Sequence, residues 1–227
     1  MSSYELSLEL APALRVRRWL ALAALFAAGF FAVVTASALA ISATASHPIE
    51  GPPFLVGTVE DATRIFSSNF LVMVLYAMVG VALIVVRRAE SEHASDAARR
   101  SVGAVKVLLG AIVIASAARQ AYVLGRMLGE YSSFLHVGAL QMGVALVPHA
   151  AIELTAMFLP LAAVLVERGE GEVAMRRALA YAVAAAIPLL VLAATTEVLV
   201  SPHVMHAVTC TTPSSLGPAG IPCAAER

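Results

Sequence analysis

Five apolar segments, each long enough to cross a lipid bilayer, most constrain what this chain can fold into. The predicted spans are residues 19–43, 68–86, 102–124, 149–166 and 178–200. A helix of about 20 residues crosses a hydrocarbon core of about 30 Å. Inside that core every backbone polar group must be hydrogen-bonded within the protein, which favours helices. The sequence therefore predicts an all-α fold, a polytopic transmembrane helical bundle.

The composition excludes several functional classes. The chain of 227 residues is 60% hydrophobic and only 13% charged, whereas soluble domains are about 25% charged. A soluble enzyme, a nucleic-acid-binding module and a disordered chain are therefore not expected. Lys+Arg and Asp+Glu number 15 each, so the net charge indicates nothing about partners. The lipid bilayer is the partner that the apolar composition implies.

The first apolar segment has two interpretations. Arg15, Arg17 and Arg18 precede residues 19–43, and small residues follow at Ala43. This order is typical of a signal peptide with its cleavage site. However, the apolar region of a signal peptide usually has about 7–15 residues, and this segment is longer. An uncleaved first helix is therefore favoured.

The region before the fourth span does not fit a single crossing. Residues 134–166 would form a helix of roughly 50 Å, too long for one span and too short for two. Pro148 is the natural point for a break. We therefore predict an interfacial or re-entrant helix over residues 136–147, followed by the span at 149–166.

The basic residues predict the orientation. With a cytoplasmic N-terminus at residues 1–18, most of the 15 basic residues fall in cytoplasmic segments, as the positive-inside rule requires. The five spans then leave the tail, residues 203–227, on the extracytoplasmic side. The chain has 2 cysteines, Cys210 and Cys223, and both lie in that tail. Outside the cell they could form a disulfide; inside they would stay reduced.

Ionisable residues within the spans are candidates for function, because burying them in lipid is costly. Four qualify, with Asn69 as a polar companion: Arg119, His149, Glu153 and Glu197. All four are expected near the extracytoplasmic side, and the spacing of His149 and Glu153 puts them on one helical face. One hypothesis is structural, with Arg119 paired to either glutamate and His149 hydrogen-bonded between helices. Another is a polar cavity for a proton, an ion or a peptide.

A metal site is a third hypothesis. Five of the six histidines are expected on the extracytoplasmic side, with Glu153 and Glu197 nearby: His47, His136, His149, His203 and His206. His203 and His206 are three residues apart, a spacing that suits zinc if the segment is helical. An intramembrane metal-dependent hydrolase belongs to this hypothesis. The chain has no HExxH or comparable motif. We therefore assign no catalytic residue, no metal ligand and no cofactor. Gly125 and Gly129 form a small-xxx-small pair, which we expect to end the third helix.

Three short motifs resemble a known family. Residues 148–156, PHAAIELTA, resemble the PHGxxELxA segment of the stage II sporulation protein M family. Residues 68–72, SNFLV, resemble its Asn-Asn-hydrophobic segment, and residues 194–202, ATTEVLVSP, its closing A-x-x-E-x-x-x-x-P. Ala150 stands where the family usually has glycine, and Ser68 replaces the first asparagine. The chain thus resembles a divergent member.

The resemblance implies an integral membrane protein without catalytic activity of its own. In spore formers the family member resembles an anchor that localises peptidoglycan hydrolases, and other members accompany circular-bacteriocin production and immunity. The alanine-rich sequence suggests a high-GC bacterium, where engulfment is not expected. We therefore predict a scaffold for envelope or cell-wall machinery in the bacterial plasma membrane, its partners being membrane or cell-wall proteins. The alternative is a transport or immunity component, and homo-oligomerisation stays open.

Overall fold

The described part of the chain is helical. The computed structural model describes residues 3–43, 59–92, 96–134 and 137–209, and these contain no strand. The helices are α1 (Ser3–Ser42), α2 (Val59–Glu92), α3 (Asp96–Phe134), α4 (Ala139–Glu167), α5 (Glu172–Leu199) and α6 (Ser201–Thr209). The predicted all-α fold is confirmed.

Five of these helices are long and apolar enough to cross a membrane. Their spanning segments are Ala13–Ser42, Ala62–Glu90, Arg100–Ser133, Ala139–Glu167 and Glu172–Leu199. The chain is therefore a multi-pass membrane protein. The helices extend beyond most of the predicted spans because a helix ends where its backbone hydrogen bonds end, not where its hydrophobicity ends. Residues 59–67, for example, precede the predicted span at 68–86 and belong to α2.

The separate interfacial or re-entrant helix over residues 136–147 was a wrong prediction. Residues 139–147 are the first part of α4, which continues through Pro148 to Glu167. Proline removes only one backbone donor, and transmembrane helices tolerate that loss. The 29 residues of α4 give roughly 43 Å of helix, and tilting accommodates an excess over the hydrocarbon thickness.

The helices contribute to two compact units. Unit 1 comprises residues 1–27, 69–114 and 154–189; unit 2 comprises residues 28–68, 115–153 and 190–227. Each of the five long helices contributes one segment to each unit. The tail, predicted from residue 203, begins within α6, which belongs to unit 2.

Aromatic and aliphatic side chains form the core of unit 1. Phe158 of α4 stacks on Tyr76 of α2, with ring centroids 5.0 Å apart. It also meets the edge of Phe26 of α1 at 5.9 Å. Val164 and Met175 add an aliphatic cluster with α2. Phe158 therefore connects α4 to both α1 and α2 through direct ring contacts.

A polar contact in unit 1 links α1 to the end of α4. The indole Nε1 of Trp19 donates to Glu167 Oε1 at 2.9 Å, and both side chains are buried. An Arg15 guanidinium nitrogen lies 3.7 Å from Glu167 Oε2. The buried carboxylate of Glu167 thus has both a hydrogen-bond donor and a cation beside it.

The chain turns from α4 into α5 through Gly171. Its φ of 103° is a backbone conformation that suits glycine.

Two glycines of α3 bring it into close contact with α1 in unit 2. A Cβ added at Gly125 would lie 2.5 Å from Ser37 Cβ and 2.7 Å from the carbonyl oxygen of Val34. One added at Gly129 would lie 2.8 Å from the carbonyl oxygen of Ala38. The expectation that these glycines end the helix was wrong, because α3 continues to Phe134. Their role is close packing of two transmembrane helices.

We expect Gly125→Ala to destabilise the protein by about 1–3 kcal/mol, since its methyl group overlaps α1. Thermal unfolding in detergent measures the effect. The matched control is Gly110→Ala in the same helix, where an added Cβ meets nothing within 4 Å. The control should be neutral or stabilising by up to about 1 kcal/mol, because alanine favours helix. Equal melting of the two variants would contradict this packing role.

Candidate intramembrane polar site

Three of the five predicted polar residues lie together in unit 2. His149 and Glu153 belong to α4 and Glu197 to α5, and one potential ligand atom from each lies within 4.8 Å of the others. His149 is buried, whereas both glutamates are half-buried. The predicted proximity of these three residues is therefore present in the fold.

The helical repeat places two of the three residues. His149 and Glu153 are separated by one turn of α4, so both side chains face the same side. Glu197 lies in the last turn of α5, which ends at Leu199. A site built from two helices in this way has well-defined backbone positions, because the backbone hydrogen bonds of each helix hold its residues in place.

A serine at the start of α6 holds the histidine. Ser201 Oγ lies 2.7 Å from His149 Nδ1, and both residues are buried. The same hydroxyl lies 3.5 Å from the carbonyl oxygen of Thr196, to which it can donate its single proton. Either Nδ1–H of His149 donates to Ser201 and Nε2 is unprotonated, or the Ser201 hydroxyl donates to Nδ1 and Nε2 carries the proton. This hydroxyl thus fixes the orientation of the imidazole ring.

The predicted ion pair with Arg119 is not formed. Arg119 lies on α3 and is exposed, and among residues 3–43, 59–92, 96–134 and 137–209 no ion pair joins it to Glu153 or Glu197. Asn69 is half-buried on α2, at the first residue of its segment in unit 1. Arg119 therefore does not compensate the charge of either glutamate.

The two carboxylates lie close to each other, and no cation among the described residues pairs with either. Within the described residues, neither Glu153 nor Glu197 forms a hydrogen bond or an ion pair with the protein. Two ionised carboxylates at such a distance repel each other, and the repulsion is strongest where water is scarce. A proton or a metal cation between them would remove that repulsion.

The histidines and cysteines near the C-terminus are outside this group. His203 and His206 are helical, in α6, and His203 is exposed. No metal-ligand group among the described residues includes either of them. His136, Cys210 and Cys223 lie outside the described residues, so the disulfide stays a prediction.

Sequence reasoning missed Ser201 as a member of the site. It was interpreted only as the end of the fifth span, before Pro202. The available signal is its spacing from Glu197, four residues earlier, which corresponds to one helical turn. Since α6 begins directly after α5, this spacing brings Ser201 back towards the site.

Comparisons with models of protein families, with curated proteins and with solved structures found no match to this chain. The resemblance to the stage II sporulation protein M family therefore stays a prediction.

Proposed function

We propose that this protein is a non-enzymatic membrane scaffold that binds another envelope protein through an exposed face of α3. The observation that carries the proposal is Arg119, an exposed cation within an apolar membrane-spanning helix. Recruitment of envelope or cell-wall machinery is also what the resemblance to the stage II sporulation protein M family implies.

The position of Arg119 along α3 supports a protein partner rather than lipid headgroups. Lys106 pairs with Glu90 at 2.6 Å near one end of the helix. Arg126 pairs with Glu130 at 2.7 Å towards the other end. The helix between Lys106 and Arg126 is roughly 30 Å long, the thickness of the hydrocarbon core. If Lys106 and Arg126 mark the two edges of the hydrocarbon core, Arg119 lies about 10 Å inside the edge at Arg126. An arginine that contacts lipid headgroups would lie closer to that edge.

The burial pattern of α3 leaves this face open. Ala121 and Leu128, which are buried, lie close to the opposite side of the helix from Arg119. We define the Arg119 face as the exposed residues Ala115, Arg119, Tyr122, Val123 and Arg126.

The chemistry of this face selects the kind of partner. An arginine in the bilayer centre costs about 2.5–3.5 kcal/mol on insertion scales, and a carboxylate of a neighbouring helix offsets that cost. A second copy docked symmetrically through the same face would bring like charges together. The proposed occupant is therefore a transmembrane helix of a different protein, with an aspartate or glutamate at the depth of Arg119.

Photocrosslinking in cells tests this surface. Benzoylphenylalanine in place of Tyr122 should crosslink to a different membrane protein with an acidic residue in its span. Placed at Tyr181 of α5, which is also exposed, the probe serves as the control and should not capture that protein. Mass spectrometry identifies the product.

Removal of the charge should abolish the crosslink without unfolding the protein. Arg119→Leu replaces an exposed side chain, so abundance should be unchanged while capture falls at least tenfold. Arg64→Leu removes an exposed arginine of α2 and should leave capture intact. Self-crosslinking as the main product, or undiminished capture by Arg119→Leu, would rule out the acidic partner helix.

The location we propose is the bacterial plasma membrane, with a cytoplasmic N-terminus and an extracytoplasmic C-terminus. The excess of basic residues in the proposed cytoplasmic segments supports this orientation. A periplasmic-active phosphatase fused after Arg227 should be active, and one fused after Glu92 should be inactive. The reverse pattern would invert the assignment.

A transport or immunity component is the second candidate, favoured by the carboxylates of Glu153 and Glu197, which have no partner in the part of the chain that the structure describes. In proteoliposomes, an imposed proton gradient should then dissipate through the wild-type protein and persist with Glu153→Gln. Glu130→Gln, which alters a half-buried glutamate of α3, is the matched control. Equal proton movement with and without protein would remove this candidate.

A further inference from the structure

We propose that His149, Glu153 and Glu197 form a binding site for one divalent transition-metal ion, which joins α4 to α5. This inference goes beyond the scaffold function and does not depend on it. Among residues 3–43, 59–92, 96–134 and 137–209, these are the only three side chains grouped closely enough to bind a metal ion together.

The spacing of the three ligand atoms suits a metal ion after small side-chain rotations. They lie within 4.8 Å of one another. Zinc bound at about 2.0–2.2 Å to nitrogen and carboxylate oxygen holds neighbouring ligand atoms roughly 3–3.5 Å apart. Each glutamate has three side-chain torsions. Rotation about them shortens the distances between ligand atoms from the observed spacing to the zinc-bound spacing without movement of either helix.

The histidine is independently prepared as a ligand. It is only 6% exposed, and its Nε2 has no hydrogen-bond partner among the described residues. Its Nδ1 is engaged by Ser201 at 2.7 Å. Metal-binding histidines characteristically donate their second ring N–H to such a neighbour, which fixes the ring and its tautomer. Ser201 thus supplies an outer contact of the kind metal sites use.

The charges of the site also favour a divalent ion. Two carboxylates share the site, and Arg119, the cation expected to balance them, is exposed on α3 without an ion pair to either. A doubly charged cation neutralises both carboxylates at once. It would therefore stabilise an arrangement that repulsion otherwise opposes.

The donor set narrows the choice of metal. Imidazole nitrogen suits zinc, iron, nickel and copper, whereas carboxylate oxygen alone suits magnesium and calcium. One imidazole with two carboxylates and no thiolate therefore selects a divalent transition metal, and Zn²⁺ is the probe used in the test. Three protein ligands leave a fourth coordination position for water.

Zinc binding is measured on the full-length protein in detergent, purified with a tag that contains no histidine. The protein is treated with a chelator, incubated with excess zinc chloride and desalted, and its zinc is counted by plasma mass spectrometry. The wild type should retain about one zinc per chain. X-ray absorption should show a nitrogen and oxygen shell at about 2.0–2.2 Å that includes one imidazole.

The variants assign the zinc to these residues. Glu197→Gln and His149→Gln should retain less than a tenth of the wild-type zinc. His203→Gln and Glu130→Gln, which lie outside the group, should retain all of it. Ser201→Ala should weaken zinc affinity about 10–100-fold, as expected for an outer contact of a metal ligand.

Thermal unfolding separates metal binding from a purely structural role. Zinc should raise the Tm of the wild type by several degrees and leave that of Glu197→Gln unchanged, because only a folded site binds the ion. Without zinc, Glu197→Gln should melt no lower than the wild type, since it removes one of two neighbouring carboxylates.

Two outcomes would overturn the proposal. One is a wild-type protein that retains no zinc, or whose zinc has sulfur in its first shell and so belongs to the cysteines. The other is equal zinc retention by the wild type, Glu197→Gln and His149→Gln. If a variant does not fold, the wild-type zinc count and its ligand shell still decide the question.

Discussion

The rest of the structure depends on one constraint, the need to hydrogen-bond every backbone polar group inside the hydrocarbon core. Helices satisfy it locally, and five long helices result. The same requirement explains why α4 continues through Pro148 and α5 through Pro188. Breaking either helix would release several backbone groups into lipid, whereas proline removes only one donor.

Polar side chains within the spans also need hydrogen-bond or charge partners, and three sets of them differ in what the fold supplies. Glu167 has partners within the fold, since Trp19 donates to it and Arg15 lies beside it. Glu153 and Glu197 have none among the described residues and lie beside each other. Arg119 is exposed on α3. The partners of Glu167 explain how α1 packs against the end of α4. The proposed functions concern Arg119 and the pair of Glu153 and Glu197, because lipid offers these charged groups no partner.

The candidate site was only partly predictable. Helical periodicity placed His149 and Glu153 on one face, and their similar depth to Glu197 suggested a cluster. The same reasoning wrongly paired Arg119 with the glutamates, because depth along a helix does not reveal the direction in which a side chain points. Gly125 and Gly129 were misinterpreted for a related reason. A glycine pair fits either a helix end or a close helix contact.

The sequence by itself determined the all-α class and the five membrane-spanning segments, because hydrophobic length and the bilayer thickness suffice for both. It did not determine the helix ends or the continuity of α4. Both depend on backbone hydrogen bonds, which continue beyond the ends of the apolar segments. Only the tertiary structure brought Ser201 to His149 and separated Arg119 from Glu197. Those arrangements depend on how each helix is rotated about its axis, and packing between helices sets that rotation.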